Sequence, residues 1–519
     1  MTTTSQSEVS PAVIARCRTI QRQLIAHHVG LLDEAGSIRD QCGSRILESA
    51  LLLALLRKDR TRPDLQERLL SYLRAARAAT LLDAHARATM LGEPTDHQQL
   101  ETYLRRFQHF TGHRKHLLLS TLLTLLGALP SNAHQHTDPA QFRYGGQARW
   151  TDLLLCAMKI LHTSAHDGIP DDTDLTYLTD QLRNHGHGQP GVWEGHLLVH
   201  LIALHALHPH RPHSDLIGDG ITNLAGTLNP DGGIPFCTAQ EVWGTAVAGA
   251  AIADATHGKH PALDRMAVFI TQTQQSDGGW GYTRTTTQTD VDDTSKCIAF
   301  LRLTDRGHHQ QALHRAESYL EHMADPAGGF PTYIKGHTPE AELTAEAIIA
   351  LTPSWPHHTP ALNHSLDYLL DAQHDDGSFP LSWTLSKSAV ILHAIDALDT
   401  ARTAAFPNPS RMNRINDAIA AATAFLENTQ NLDGGWGHGP GDPSDLLSTA
   451  QALPVIIRHT QQPHLLARAV HYLIDQQHDH GTFTSPPDQV GPRPIPYDFP
   501  ELANTHTLIA INQLLQHHP

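Results

Sequence analysis

The sequence predicts an all-α protein whose C-terminal part closes into an α/α barrel of stacked helical hairpins. Apolar residues recur at helical spacing almost throughout, and alternating β-branched runs are nearly absent. A glycine-rich turn also recurs along the second half of the chain. It is read at Asp231-Gly232-Gly233, Asp277-Gly278-Gly279-Trp280, Gly328-Gly329-Phe330, Asp376-Gly377-Ser378-Phe379, Asp433-Gly434-Gly435-Trp436 and His480-Gly481-Thr482-Phe483. The first glycines lie 46, 50, 49, 57 and 47 residues apart, which leaves room for two helices per unit. One hairpin cannot bury its apolar face alone, so neighbours must stack, and about six close a ring.

The turns need glycine because the chain reverses tightly between helices. The aromatic residue after each turn is placed to pack back over a helix end. Gln275, Gln373, Gln430 and Gln477 precede four of the turns. Before residue 215 the turn is missing, yet residues 46–57, 114–128 and 148–160 still read as helices. The polar stretch 208–214 serves as a linker. The expected division is an N-terminal helix in 1–30, a less regular helical domain over 31–214, and the repeat barrel over 215–519.

Composition narrows the function. With 519 residues and 40% apolar content the chain fills more than one core. A formal net charge of −16 argues against a nucleic-acid partner, so any phosphorylated ligand needs a local basic pocket. The 40 histidines are scattered without metal-ligand spacing. The five cysteines are odd in number and far apart, which indicates neither a disulfide framework nor a zinc site. The N-terminus carries no apolar signal core. Apolar runs 46–56 and 117–129 are too short to span a bilayer, and a soluble, cytoplasmic protein is expected.

The chemistry centres on Asp290-Val291-Asp292-Asp293-Thr294, ten residues after the Trp280 turn and just before a helical run. Exposed amides and the helix dipole stabilise an anion at such a place, which lowers a carboxyl pKa. Three neighbouring carboxylates repel one another, which keeps one of them protonated. Asp-rich segments before helices are also ordinary N-caps or metal sites. Inside a helical-hairpin repeat, beside an aromatic turn, an acid site is the better reading.

The Asp-x-Asp-Asp-Thr motif together with Gln-x-x-Asp-Gly-Gly-Trp turns resembles the class II terpene cyclases, in their bacterial copalyl-diphosphate-synthase-like branch. Ser44-Arg45-Ile46-Leu47-Glu48-Ser49-Ala50-Leu51, Phe110-Thr111-Gly112-His113-Arg114-Lys115, Val192-Trp193-Glu194-Gly195 and Pro230-Asp231-Gly232-Gly233 extend the likeness over nearly the whole chain. The resemblance implies a double α/α barrel with QW-type turns, a γ domain inserted after the first helix of the β domain. The N-terminal helix then returns to the C-terminal repeats. It implies that Asp292 is the general acid, assisted by Asp290 and Asp293. The reaction it implies is protonation-initiated cyclisation of geranylgeranyl diphosphate to a labdane or copalyl-type diphosphate. Farnesyl diphosphate cyclised to drimenyl diphosphate is the alternative. No Asp-Asp-x-x-Asp motif is present, because Asp171-Asp172-Thr173-Asp174 is followed by Leu175. Asn416-Asp417 likewise lacks its metal-binding companions. The diphosphate is therefore expected to survive, and a separate class I terpene synthase is the expected downstream partner.

A carbocation cascade needs a dry, aromatic cavity. Phe236, Trp243, Trp280, Tyr282, Tyr333 and Trp383 are the candidates, although Trp280 and Trp436 sit in repeat turns where such residues staple helices. Arg114 and Lys115 open an apolar helix and are candidate diphosphate ligands, with Lys335 a weaker one. Glu48 lies in an almost wholly apolar helix, where a charge is costly unless it is paired or metal-bound. A diphosphate-associated Mg2+ is the expected cofactor there, and a buried Arg partner is the alternative. A protein prenyltransferase β subunit would need zinc ligands, but Ser295 stands where Asp should precede Cys297. A non-catalytic helical scaffold has no reason to cluster Asp290, Asp292 and Asp293.

Overall fold

The computed structural model describes residues 9–104, 112–129, 138–184, 191–210, 214–304, 306–405, 407–491 and 495–518. Part of the 208–214 linker, and Phe110 and Thr111 of the motif preceding Arg114, lie outside the described residues. The first helix, α1 (Pro11–Gly30), starts at Ser10, whose hydroxyl accepts from the Val13 amide as an N-cap. Helices α2 (Ile46–Asp59), α3 (Pro63–Ala75), α4 (Leu81–Leu91), α5 (His97–Leu104), α6 (Gly112–Leu126), α7 (Arg149–Ala165), α8 (Asp172–Arg183), α9 (Leu197–Leu207) and α10 (Ser214–Ala225) follow. They pack around one apolar core built mostly from residues between Cys42 and Cys237, joined by Leu447, Ile495, Phe499 and Leu502. Helix α2 is its axis, with every residue from Ile46 to Leu56 buried.

The rest of the chain forms a closed ring. Inner helices α11 (Glu241–Thr256), α13 (Val291–Leu303), α15 (Ala341–Leu351), α17 (Lys387–Ala404), α19 (Leu446–His459) and α21 (Glu501–His517) each contact the next, and α21 returns to α11. Outside them α12 (Ala262–Gln272), α14 (Arg306–Met323), α16 (Trp355–Asp371), α18 (Pro409–Thr429) and α20 (Pro463–Asp475) each back one inner helix. The outer helix behind α21 is α1. Gln21 donates to Asn512 at 2.8 Å and Arg16 to the Ile474 carbonyl at 2.7 Å. Residues on either side of the intervening helical domain meet as a short antiparallel pair, Ser44 opposite Pro235 and Arg45 opposite Ile234.

The turns are held by a recurrent clamp. Gly278, Gly377, Gly434 and Gly481 adopt φ of 97°, 87°, 95° and 92°. A glutamine four residues earlier donates back to the glycine carbonyl: Gln373 at 3.0 Å, Gln430 at 2.9 Å, Gln477 at 3.0 Å. In the first of these turns the clamp is Gln274, not Gln275, because only Gln274 is four residues from its glycine; it donates to Gly278 at 2.8 Å. The same amide reaches the next outer helix, at Ala312, Ala418 or Leu465. Trp280 and Trp436 donate their indole N–H to carbonyls ten residues back, Ile270 at 2.7 Å and Leu426 at 2.9 Å. Among the described residues no helix is long and apolar enough to cross a membrane.

At Gly434 an added Cβ would lie 2.6 Å from the Arg468 carbonyl oxygen, whereas at Gly441, also at positive φ, nothing lies within 4 Å. Gly434→Ala therefore meets a backbone clash as well as the conformational penalty, and Gly441→Ala meets the penalty alone. Urea melts should show a larger loss for Gly434→Ala, by at least about 1 kcal/mol.

Candidate active site

A cavity of about 430 Å³ begins between the two cores and enters the barrel at the end where the inner helices start. Its wall near that end is aromatic. Trp150, Trp193 and Phe236 come from the N-terminal core, and Trp243, Tyr282, Tyr333, Trp383 and Tyr497 from the barrel side. The Phe236 and Tyr497 rings stack at 4.6 Å, and Tyr333 meets Trp383 edge-on at 5.9 Å. Such faces stabilise positive charge without offering it a nucleophile.

The three aspartates stand at the start of α13 and divide the work. Asp290 is the N-cap, its Oδ1 accepting from the Asp293 amide at 2.8 Å. The bland reading of the motif is thus correct for this residue, which also lines the cavity. Asp292 is in the first turn and faces the cavity, where the Trp243 indole N–H donates to its Oδ2 at 3.1 Å. Asp293 is buried beside Asp290, and its Oδ1 has no hydrogen-bond partner.

Helix-end stabilisation should lower these carboxyl pKa values, but burial outweighs it. Burial pushes Asp292 up to about 7; Lys296 pulls it down, while Glu346, Asp290 and Glu342 push it up. Asp290 rises to about 6, again through burial, against its hydrogen bonds from Asp293 and the backbone amides. Asp293 is pushed well above the carboxylate range by burial and by the charge of Asp290. Burial and the neighbouring Asp290 favour the protonated form of Asp293, and Asp292, raised to about 7, is poised to hold or release a proton.

The structure gathers Asp290, Asp292, Asp293, Phe236, Trp243, Tyr282, Tyr333 and Trp383 around one space. Trp280 is a correction: its ring is fully buried in the turn clamp and does not line the cavity, because its N–H is committed to α12. Glu48 is fully buried against Arg45, whose Nε lies 3.4 Å from its carboxylate, and Arg45 also reaches Asp83 at 3.4 Å. A guanidinium already occupies the place a cation would take. Among the described residues no group of three His, Cys, Asp or Glu side chains is arranged to hold a metal ion. A buried guanidinium partner, rather than a set of oxygen ligands, surrounds Glu48 among the described residues. Arg114 is exposed and donates to Gln147 at 3.3 Å; neither it nor Lys115 nor Lys335 lines the cavity.

Sequence reading missed the polar groups beneath the acid. Lys296 bonds Glu346 at 2.6 Å, and the His393 ring lies 3.3 Å from Glu346 and 3.6 Å from Glu342. Lys296 was within reach, being one turn on from Asp292. Glu346 and His393 belong to other repeats, and only ring closure brings them close.

No family model matches the chain. It is 36% identical to the drimenyl diphosphate synthase of Streptantibioticus cattleyicolor, over 96% of this chain and 94% of that protein. It is 35% identical to the drimenyl diphosphate synthase of Streptomyces showdoensis, over 98% of this chain and 96% of that protein. Among solved structures, ent-copalyl diphosphate synthase from Streptomyces platensis superposes with a TM-score of 0.58 at 16% identity, covering 98% of this chain and all of that one. That last likeness is one of fold.

A reaction that needs protonated Asp292 loses rate as pH rises through its pKa, near 7. Because Lys296 lowers that pKa, Lys296→Met should raise it and move the alkaline limb of kcat/KM upward. A pH–rate profile of the two proteins measures the displacement.

Proposed function

This chain belongs to the class II terpene cyclases, and we propose that within that family it converts farnesyl diphosphate to drimenyl diphosphate. The observation that carries the chemistry is Asp292: a cavity-facing carboxyl whose pKa burial raises to about 7, oriented by Trp243 and facing an aromatic wall. The name shared by two relatives, each matched over nearly the full chain, favours this product over a copalyl-type one made from geranylgeranyl diphosphate.

Asp292 donates its proton to the terminal carbon–carbon double bond, breaking its O–H bond and forming a C–H bond. The tertiary cation is attacked by the next double bond, and the ring so formed carries the charge to the following one. Loss of a proton from a carbon beside the final cation restores an alkene. Trp243, Tyr333 and Trp383 stabilise the travelling charge and exclude water. The diphosphate remains attached and is left for a class I terpene synthase.

We place the diphosphate outside the cavity lining, on the insertion side, because Arg114 and Lys115 do not line the cavity itself. Gln147, to which Arg114 donates, is two residues from Arg149, whose amide donates at 3.1 Å to Gln288 on the cavity wall. Arg114→Ala and Lys115→Ala should each weaken substrate binding by about 1.5–3 kcal/mol, the loss of one charge-assisted contact. An unchanged KM would remove the residue from the site.

The central test is incubation with farnesyl or geranylgeranyl diphosphate, phosphatase treatment and mass spectrometry of the alcohols. The bicyclic C15 alcohol is expected, with no inorganic diphosphate released before phosphatase. Asp292→Asn is nearly isosteric and should fold, but it cannot deliver the proton. Cyclisation should fall by at least about 10²–10⁴-fold. Near wild-type turnover by this variant would move the acid elsewhere, and exclusive conversion of the C20 substrate would overturn the chain-length assignment.

A further inference from the structure

The inserted helical domain is entered and left at one place. Ser44 lies opposite Pro235 and Arg45 opposite Ile234 in an antiparallel pair. Two residues further out, the same register sets Cys42 opposite Cys237, although they are 195 positions apart in the chain. Both stretches of backbone are tied down. The Cys42 carbonyl accepts from the Asn229 side chain at 3.0 Å, and the Gly43 amide donates to the Asp498 carbonyl at 2.7 Å. On the other strand the Thr238 amide donates to the Gly195 carbonyl at 2.8 Å, and the Phe236 carbonyl accepts from the Leu197 amide at 3.1 Å.

The two cysteines share the N-terminal core. Cys42 is fully buried there, whereas Cys237 also lines the cavity. The other three cysteines, Cys17 in α1, Cys156 in α7 and Cys297 in α13, are raised by burial, Cys17 to about 11 and Cys156 to about 12. Cys42 alone is held below the ordinary thiol range. Burial acts to raise it, but the Cys237 thiol and the amides of Cys237 and Phe236 beside it outweigh burial. Burial and the neighbouring Cys42 push Cys237 well above that range. These surroundings favour the thiolate, the nucleophilic form, at Cys42 and the protonated thiol at Cys237.

Directly opposite residues of an antiparallel pair have Cα atoms about 4.5–5.5 Å apart, within the span of about 4.4–6.8 Å that a disulfide bridges. We infer that Cys42 and Cys237 form a reversible oxidation site, closed to a disulfide by a hydroperoxide that enters through the cavity. The Cys42 sulfur attacks the peroxide: an S–O bond forms, the O–O bond breaks, and water or an alcohol leaves. The Cys237 sulfur then attacks the Cys42 sulfur: an S–S bond forms, the S–O bond breaks, and a water leaves. The two thiols give up two electrons to the peroxide, and both thiol protons depart on the leaving oxygens. A dithiol reductant reverses the change. The bond closes α2 to α10, the whole inserted domain, into one covalent loop. Closing so long a loop restricts the unfolded chain, while the native strands already hold the two residues opposite each other. The site therefore staples the insertion to the barrel under oxidising conditions.

Hydrogen peroxide is the probe. Wild-type protein is treated with it, unfolded, alkylated with iodoacetamide and digested without reductant. The Cys42 and Cys237 peptides should emerge joined, two hydrogens lighter than the separate pair, and dithiothreitol should release them. Cys17, Cys156 and Cys297 should be alkylated in the same sample. Tryptophan fluorescence in urea then compares oxidised with reduced protein. At the urea concentration that half-unfolds the reduced form, the ratio of unfolded to folded oxidised protein should be lower by roughly tenfold or more. Cys42→Ser and Cys237→Ser should show neither the joined peptides nor the shift. If a variant fails to fold, the wild-type comparison decides alone. Separate alkylated Cys42 and Cys237 peptides after oxidation, a bridge to another cysteine, or a joined pair without the urea shift would overturn the inference. None of these readouts uses a prenyl diphosphate, so their outcome is independent of the functional reading.

Discussion

The glycine turn between each outer helix and the next inner one governs the barrel. At φ near 90° a side chain is strained, and at Gly278, Gly377 and Gly434 a Cβ would lie 2.3–2.6 Å from a carbonyl oxygen of the following outer helix. Glycine lets the turn nest against that helix, and the glutamine amide ties the two together. The inner helices consequently begin at one end of the ring, and their inward positions fall into layers. Asp292 lies in the first layer because the turn before α13 sets where that helix starts. Lys296 and Glu346 share the second layer for the same reason.

That placement creates a conflict between two electrostatic effects. A helix N-terminus favours the carboxylate, and Asp290 uses it as an N-cap. The same helix end points into a cavity walled by aromatic rings, where solvation of an ion is poor. Burial dominates, and all three aspartates rise. The outcome suits an acid that must give its proton to an alkene, since a carboxyl ionised at neutral pH has none to give. Lys296 restrains the rise at Asp292, whereas the charge of Asp290 adds to it at Asp293, so the three groups are shifted unequally although they are close in sequence.

The helical domain between the barrel's first helix and its repeats supplies the other wall. Phe236 comes from the N-terminal core and stacks on Tyr497, which follows the last repeat turn. The Tyr282 hydroxyl donates to the Glu194 carbonyl at 2.6 Å. These contacts tie the two cores together across the cavity.

The hairpin repeat, the helical class and the acid motif were legible in the chain because each is local. A period near 50, the φ that only glycine adopts comfortably, and carboxylates beside a helix start need no partner distant in sequence. Trp280 and Trp243 show where local reading ends. Both are tryptophans near repeat turns, yet Trp280 is spent on the Ile270 carbonyl while Trp243 donates to Asp292. Glu48 was recognised as a costly buried charge, but that its neighbour Arg45 folds back onto it depends on the packing of α2. The polar layer of Lys296, Glu346 and His393 carries no sequence signature as a group, since its members are separated by about one repeat each. Burial, and with it the upward shift of all three aspartates, belongs to the closed ring: solvation is a property of the whole surrounding volume, and no stretch of chain contains it.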